Sequence, residues 1–179
     1  MKYSQPVLFL LSVTKALALL LLLFSGPVIA DTTYTINKSF TAWFPNKPTY
    51  EQWPQGQTGR TLHGFLSEDQ SNLIRYVASY GTGKKFTNKS GNALRGYVEG
   101  IASTAPGTVR SFRSTTIDGY DSAIFSIYMS YQGQTGWWYG VVSFKSGQFL
   151  HWGVQEIIGE STQTAGRMFD KYFRYYSIK

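Results

Sequence analysis

Cysteine is absent from the 179-residue sequence. Its absence excludes disulfide bonds, thiol chemistry and a lipid anchor attached to a cysteine after the leader. Residues 31–179 must therefore be stabilised by a hydrophobic core, and they are numerous enough to bury one without cross-links. Lack of cysteine is common among bacterial envelope proteins and unusual among small extracellular eukaryotic ones.

Histidine is scarce, since only His63 and His151 occur, both in strand-like segments. A zinc site needs three or four ligands, and neither histidine has a second one at helical or hairpin spacing. We interpret His63 as a residue of a strand surface, and we expect no metal site.

Signatures of catalysis are missing as well. There is no G-x-S-x-G motif, and its nearest approach, "GYDSA" around Ser122, falls in a strand pattern. The ten carboxylates are spread singly along the chain. A pair of glycosidase carboxylates stays open, because such pairs converge from distant positions. We predict a protein that is not an enzyme, with no catalytic residues and no cofactor.

The stretch "ASYGTGKKF", residues 78–86, partly matches a phosphate-binding loop ending in Lys84. That loop needs a Ser or Thr after its lysine to hold Mg²⁺, and a helix that opens there. Lys85 occupies the Ser/Thr position, and the loop-like "FTNKSGN" follows. We interpret Gly81 and Gly83 as turn residues, and we predict that no nucleotide binds.

Residues 1–30 have the pattern of a secretory signal peptide. Lys2 and Lys15 supply positive charge, residues 16–24 are an unbroken apolar run, and "VIA" ends the segment with small residues. We expect cleavage before Asp31, leaving residues 31–179 as a single periplasmic or secreted domain without a stable membrane anchor. The alternative is an uncleaved anchor over residues 6–24, although Lys15 in its middle would be costly.

Beyond the leader the residue pattern is mostly that of β-strands. Alternating segments such as "SFTAWFP" and "RTLHGFL" are followed by "NLIRYVASY", with "SEDQS" as the hairpin loop between the last two. Four further strand patterns are joined by "DGYD", "QGQTG" and "KSGQ", which predicts an antiparallel meander.

Two segments show helical spacing instead. "SGNALRGYVEGIAS" places Leu94, Tyr97, Val98 and Ile101 on one face, with Ser90 as the expected N-cap. "STQTAGRMFDKYFRYYSI" shows a second stripe, with Ser161 as its expected cap. We expect Phe169 to be fully buried, and the basic side chains outside the stripe to be solvated. The stripe is Ala165, Met168, Phe169, Tyr172 and Phe173, and the basic residues are Arg167, Lys171 and Arg174. The predicted fold class is α+β, an antiparallel sheet covered by helices.

Aromatic residues are the most concentrated feature, at 17% of the chain. In "GWWYG", Trp137 and Tyr139 fall on one face of a strand and Trp138 on the other. A strand with large aromatics on both faces requires helices on both faces or a partner surface. We take Trp137, Trp138 and Tyr139 as the candidate interface.

The order of elements resembles the PsbP-like family. "FTAWFPNKP" is similar to the opening of these domains, "GYDSAIFSIYMSYQGQTGWWYGVVSF" to their long central hairpin, and "AGRMFDKYFRYYSI" to their closing helix and final short strand. The resemblance spans about residues 36–178. It implies an α/β/α sandwich around an antiparallel sheet and a non-catalytic role, as in extrinsic photosystem subunits, a small-GTPase-binding nuclear protein and exported bacterial proteins. The leader favours the exported bacterial branch.

From this we expect an exported protein-binding domain, a subunit or accessory of a bacterial envelope assembly such as a secretion apparatus. The alternative is a secreted hydrolase or a cell-wall glycan-binding protein. Removing Lys2 and Lys15 from the formal charge of +7 leaves +5. This surplus permits weak affinity for an acidic partner but is too small and scattered to predict nucleic-acid binding.

Overall fold

The structure is a computed structural model that describes residues 32–54, 60–83, 91–156 and 164–179. The predicted leader, Lys84 and Lys85, and the expected caps Ser90 and Ser161 lie outside the described residues. Within those ranges, none of the helices has both the length and the apolar character needed to cross a membrane.

The described residues form ten strands, two helices and one 3-10 turn. The first strands are β1 (Thr32–Ile36), β2 (Phe40–Phe44), β3 (Thr49–Pro54), β4 (Arg60–Asp69) and β5 (Ile74–Gly83). Helix α1 (Gly91–Thr104) leads into β6 (Gly107–Ile117), β7 (Tyr120–Tyr131), β8 (Gln134–Lys145) and β9 (Gln148–Glu156). Helix α2 (Thr164–Tyr172), the 3-10 turn Phe173–Tyr175 and β10 (Ser177–Ile178) complete the described chain.

Seven of the strands make one antiparallel sheet in the order β3-β4-β5-β9-β8-β7-β6. Strands β1, β2 and β10 form a separate three-stranded sheet. The predicted meander from β6 to β9 is confirmed. Its three tight turns each place a non-glycine residue and then a glycine at positive φ, a pattern that suits the right-handed twist of hairpins. These pairs are Asp118-Gly119, Gln132-Gly133 and Ser146-Gly147.

Three sequence expectations differ from the structure. The "SEDQS" loop is shorter than predicted, because β4 continues to Asp69, whose Oδ1 accepts hydrogen bonds from the Ser71 and Asn72 N–H groups at 3.1 and 3.3 Å. The turn interpretation of Gly81 and Gly83 is wrong, since both are paired with β4 within β5. Strands β1 and β3 were not predicted; β3 is a polar edge strand ending in proline, a weak strand signal.

Two hydrophobic clusters lie on opposite faces of the large sheet. Along β9, Phe149 belongs to the cluster beneath α1, whereas Leu150, Trp152 and Val154 belong to the cluster beneath α2 and the small sheet. On β8, Val141 belongs to the cluster beneath α2 and Val142 to the cluster beneath α1. Side chains alternate between the faces of a strand, so each helix packs against alternate residues. The expected antiparallel sheet with packed helices is confirmed.

Both predicted helical stripes face the sheet. In α1, Leu94 and Val98 are buried and Tyr97 and Ile101 are half-buried against the same cluster. In α2, Phe169 is 4% exposed, as expected, and its ring stacks on Trp152 at a centroid distance of 5.5 Å. The basic residues outside the second stripe are exposed, also as expected; they are Arg167, Lys171 and Arg174.

Replacing Phe169 by alanine is expected to lower the free energy of unfolding by about 3–5 kcal/mol, because the ring leaves a cavity between α2 and β9. Arg167→Ala on the exposed side of α2 is the control and should change it by less than about 0.5 kcal/mol. Chemical denaturation of both variants measures the difference. Equal stability of the two would show that the α2 stripe is not part of the core.

Candidate ligand-binding cleft

Among the described elements, helix α1 covers only part of its own side of the sheet. It packs against β6, β7 and β8, at one end of the seven-stranded order. A cleft of about 720 Å³ lies between α1 and the other end, where β3, β4, β5 and β9 supply its floor. This volume is typical of sites for small molecules or inserted side chains.

The cleft is lined by seven apolar or aromatic side chains and by polar side chains, with charges confined to a few positions. Among the charged residues, the Arg75 guanidinium and the Glu68 carboxylate form an ion pair at 2.8 Å, and Lys47 and Glu51 add one charge of each sign. The lining therefore has no excess of either charge. Its apolar members are Trp53, Leu62, Leu66, Val77, Tyr97, Ile101 and Trp138.

Strand alternation brings these side chains to one face. In the β4–β5 register, Leu66 pairs with Val77, and in the β5–β9 register, Ser79 pairs with His151. The floor also needs a residue without a side chain. A Cβ on Gly64 would lie 2.1 Å from the Trp53 ring, so glycine here lets the indole of Trp53 lie against the sheet.

His151 is the most deeply buried titratable group of the cleft, with 2% of its surface exposed. Its Nδ1 lies 3.3 Å from the Ser79 Oγ, and its ring contacts Phe125 and Trp138. Burial lowers the pKa of the imidazole from 6.5 to about 3, because charging it inside the protein would cost its hydration. His151 is therefore neutral at physiological pH.

Two ring nitrogens at the cleft floor are buried and make no hydrogen bond to any described residue. They are the Trp138 Nε1 and the His151 Nε2. Both approach Gly153: a Cβ built on this glycine would lie 2.6 Å from the first and 3.1 Å from the second. Buried polar atoms are nearly always paired in folded proteins, so these two nitrogens are candidates for hydrogen bonds to a bound group.

Ser79 connects His151 to helix α1. It is 3% exposed and hydrogen-bonds to the Tyr97 hydroxyl as well as facing the His151 Nδ1. Burial raises the pKa of Tyr97, and the Ser79 hydrogen bond partly opposes that rise. The Tyr97–Ser79–His151 chain fixes the imidazole from behind and leaves the Nε2 on the far side.

The three candidate interface residues of "GWWYG" separate onto the two faces, as the alternation predicted. Trp138 lines the cleft and packs with the α1 cluster. Trp137 and Tyr139 face the other side, where a Cβ on Gly166 of α2 would lie 3.0 Å from the Tyr139 ring. All three are half-buried. The structure therefore does not bring them together as one surface.

Glu156 ties β8 to the start of α2 on that second face. Its Oε2 accepts a hydrogen bond from the Trp137 N–H at 3.0 Å, and its Oε1 accepts one from the Ala165 N–H at 3.4 Å. A buried carboxylate at the first turn of a helix suits the positive end of the helix dipole. We assign Glu156 a structural role.

His63 lies in β4, next to the edge strand β3, on the face opposite the cleft. Its Nδ1 and Nε2 hydrogen-bond to the Tyr50 hydroxyl at 2.7 Å and to the Thr82 Oγ1 at 2.8 Å. Its ring lies between those of Tyr50 and Tyr80, at centroid distances of 6.0 and 4.7 Å. His63 is thus a half-buried strand residue with both nitrogens occupied. Across the described ranges, no three His, Cys, Asp or Glu residues cluster as a metal site would require.

Sequence reasoning missed the cleft, although its signals are present. Ser79 and His151 are polar residues inside otherwise apolar strands, "RYVASY" and "FLHWGV", and such residues are buried only when they are bonded or used. The pairing of distant strands β5 and β9, which brings them together, has no local signal.

Comparisons with known proteins support the fold. No family model matches the sequence, and no curated protein does either. Among solved structures, the cyanobacterial PsbP (CyanoP) of Synechocystis sp. PCC 6803 is similar, with a TM-score of 0.55 and 9% identity over 86% of this chain and 96% of that chain. A protein of unknown function from Pseudomonas aeruginosa, PA94, titled a putative regulator, aligns over 80% of this chain and 90% of its own, with a TM-score of 0.40 and 10% identity. The first likeness shows that the chain has a PsbP-like fold, as the sequence resemblance implied.

The buried imidazole predicts a pH-dependent stability. Unfolded His151 takes up a proton below pH 6.5, but folded His151 does so only near pH 3, so acidification favours unfolding. Between pH 6 and pH 4, the free energy of unfolding should fall as the pH is lowered, and it should fall faster in the wild type than in His151→Gln. The difference between the two slopes should be about 1.4 kcal/mol per pH unit. Denaturation of both proteins over this range measures it, and parallel curves would refute the neutral, buried histidine.

Proposed function

We propose that the chain is an exported, non-catalytic domain that binds a segment of a partner protein in the cleft between α1 and β3. In this proposal it serves as a subunit or accessory of a bacterial envelope assembly, such as a secretion apparatus, in the exported branch of PsbP-like α/β/α sandwiches. The observation that carries the binding role is the cleft, whose apolar side chains lie beside two orphaned ring nitrogens on its floor. Export rests on the pattern of residues 1–30.

The character of the cleft favours a protein segment over a charged metabolite. Its two positive and two negative side chains cancel in net charge, and its apolar side chains come from both the sheet and helix α1. Concave apolar surfaces with a few convergent polar atoms are the usual sites at which an inserted side chain anchors a partner. A charged ligand would meet an Arg75 already paired with Glu68, and a Lys47 and a Glu51 of opposite sign, so neither charge is favoured.

A hydrolase is the second candidate, because the Ser79 hydroxyl faces the His151 imidazole at 3.3 Å. Two features oppose it. A general base should have a pKa near the working pH, whereas burial lowers the pKa of His151 to about 3. In addition, the described contacts of His151 are with Ser79 and aromatic rings, and a catalytic triad would place a carboxylate beside the imidazole.

A glycan-binding role would use exposed aromatic rings. Tyr50 is 53% exposed and is the best candidate for stacking on a sugar. Its hydroxyl is engaged by His63, however, and one face of its ring is turned to the His63 ring. A sugar would thus find a single exposed ring whose hydroxyl is already engaged, so protein binding ranks first.

Site-specific photocrosslinking tests the proposed function in cells that naturally make the protein. Glu51 and Gln52 are both exposed neighbours in β3, but Glu51 lines the cleft and Gln52 points to the opposite face. A photoreactive residue in place of Glu51 should capture a defined envelope protein, and one in place of Gln52 should not. Leu66→Trp, which fills the cleft, should reduce capture at position 51 by at least about tenfold. Equal capture at both positions, or none at position 51, would contradict the proposal.

A further inference from the structure

The hydrogen-bonding character of the cleft floor can be read from its two orphaned nitrogens. The Trp138 indole Nε1 carries a hydrogen and only donates. The neutral His151 Nε2 either accepts or donates, depending on which ring nitrogen holds the proton. Both lie close to Gly153, so the two nitrogens are near enough for one hydroxyl oxygen to be proposed as their shared partner.

The bond behind the imidazole allows either tautomer. The Ser79 hydroxyl is both a donor and an acceptor, so at 3.3 Å it accepts from a His151 Nδ1–H or donates to a bare Nδ1. With the proton on Nδ1, the Nε2 presents a lone pair, and the floor offers one donor from Trp138 and one acceptor from His151. With the proton on Nε2, the floor offers two donors.

From this pair we infer that the cleft recognises a hydroxyl group carried on an apolar body, and that the partner segment supplies it as a tyrosine side chain. A hydroxyl accepts from Trp138 and donates to His151 at once. If the imidazole adopted its other tautomer, the same hydroxyl oxygen could accept from both rings. A carbonyl oxygen only accepts, so it would satisfy both rings only if both donate. An ammonium only donates, so it would satisfy His151 as an acceptor and leave the Trp138 N–H unpaired. This inference rests on the proposed function, because it names the side chain that the bound segment contributes.

The surroundings match the rest of a phenol. Val77 pairs with Gly153 in the β5–β9 register and lines the cleft beside the two nitrogens, and Leu66 lies across from Val77 on β4. Ile101 and Tyr97 of α1 form the opposite wall. These side chains suit an aromatic ring, whose burial supplies most of the affinity. Both nitrogens are screened from solvent, so binding requires the half-buried Trp138 ring to shift, which makes its N–H a direct reporter.

The test compares p-cresol, which is the tyrosine side chain as a free molecule, with toluene, which lacks only the hydroxyl. A purely apolar cleft would prefer toluene, because it has no polar group to desolvate. We expect p-cresol to bind the folded, leaderless protein about tenfold more tightly, as one or two buried hydrogen bonds would give. We also expect it to move the Trp138 indole N–H resonance downfield in ¹H–¹⁵N spectra.

Two tryptophan variants locate the effect. Trp138→Phe keeps an aromatic ring but removes the donor, so it should abolish the preference for p-cresol while toluene affinity changes little. It also assigns the indole resonance. Trp137→Phe, at the adjacent position on the other face, is the matched control and should keep the preference. Tighter binding of toluene, no binding of p-cresol (a floor that holds only water), or an unchanged preference in Trp138→Phe would overturn the inference.

The outcomes separate this inference from the proposed function. Partner capture at position 51 without p-cresol binding would leave the protein-binding role intact and refute the hydroxyl. Selective p-cresol binding without partner capture would establish the hydroxyl site and refute the protein partner.

Discussion

The two-residue alternation of side chains along the central strands is the constraint on which the rest of the structure depends. Strands β7, β8 and β9 each send alternate residues into the hydrophobic clusters on both faces of the sheet. A shift of β9 by one residue would exchange its two sets and place His151 beneath α2. The three tight meander turns, each with its residues fixed at positive φ, hold that register.

The cleft follows from how unequally the two faces are covered. A helix about 10 Å across spans only two or three strands spaced about 4.8 Å apart. One face of the large sheet is covered by α2 together with the small sheet of β1, β2 and β10. On the other face, α1 packs at the β6–β8 end. The cleft therefore lies at the opposite end, and the buried polar residues Ser79 and His151 mark where the core beneath α1 gives way to it. The cleft arises here because the described elements cover this face of the sheet incompletely.

Much of the fold could be predicted from the sequence, because its signals are local. The apolar stripes of "SGNALRGYVEGIAS" and "TAGRMFDKYF" identified both helices, and the glycine turns identified the meander. Edge strand β3 was missed because its residues are polar and only their pairing with β4 makes them a strand. The cleft was missed because it depends on which strands are neighbours. Ser79 and His151 are 72 residues apart, and no local pattern indicates that β5 pairs with β9. The aromatics of "GWWYG" correctly predicted that both faces of this strand are covered, but only Trp138 among them lines the cleft.

The central claim is that the β3–β5 end of the α1 face is open in the folded protein. Because the natural chain has no cysteine, a single introduced cysteine reports its own position alone. Leu66→Cys lies in the cleft, and Ala78→Cys lies on the opposite face at 0% exposure. The rate of alkylation by N-ethylmaleimide under native conditions measures access to each. The account predicts that the cysteine at position 66 reacts at least about tenfold faster than the one at position 78, which should react only through unfolding. Equal protection of the two would show that this face is covered and that the cleft is not a binding site.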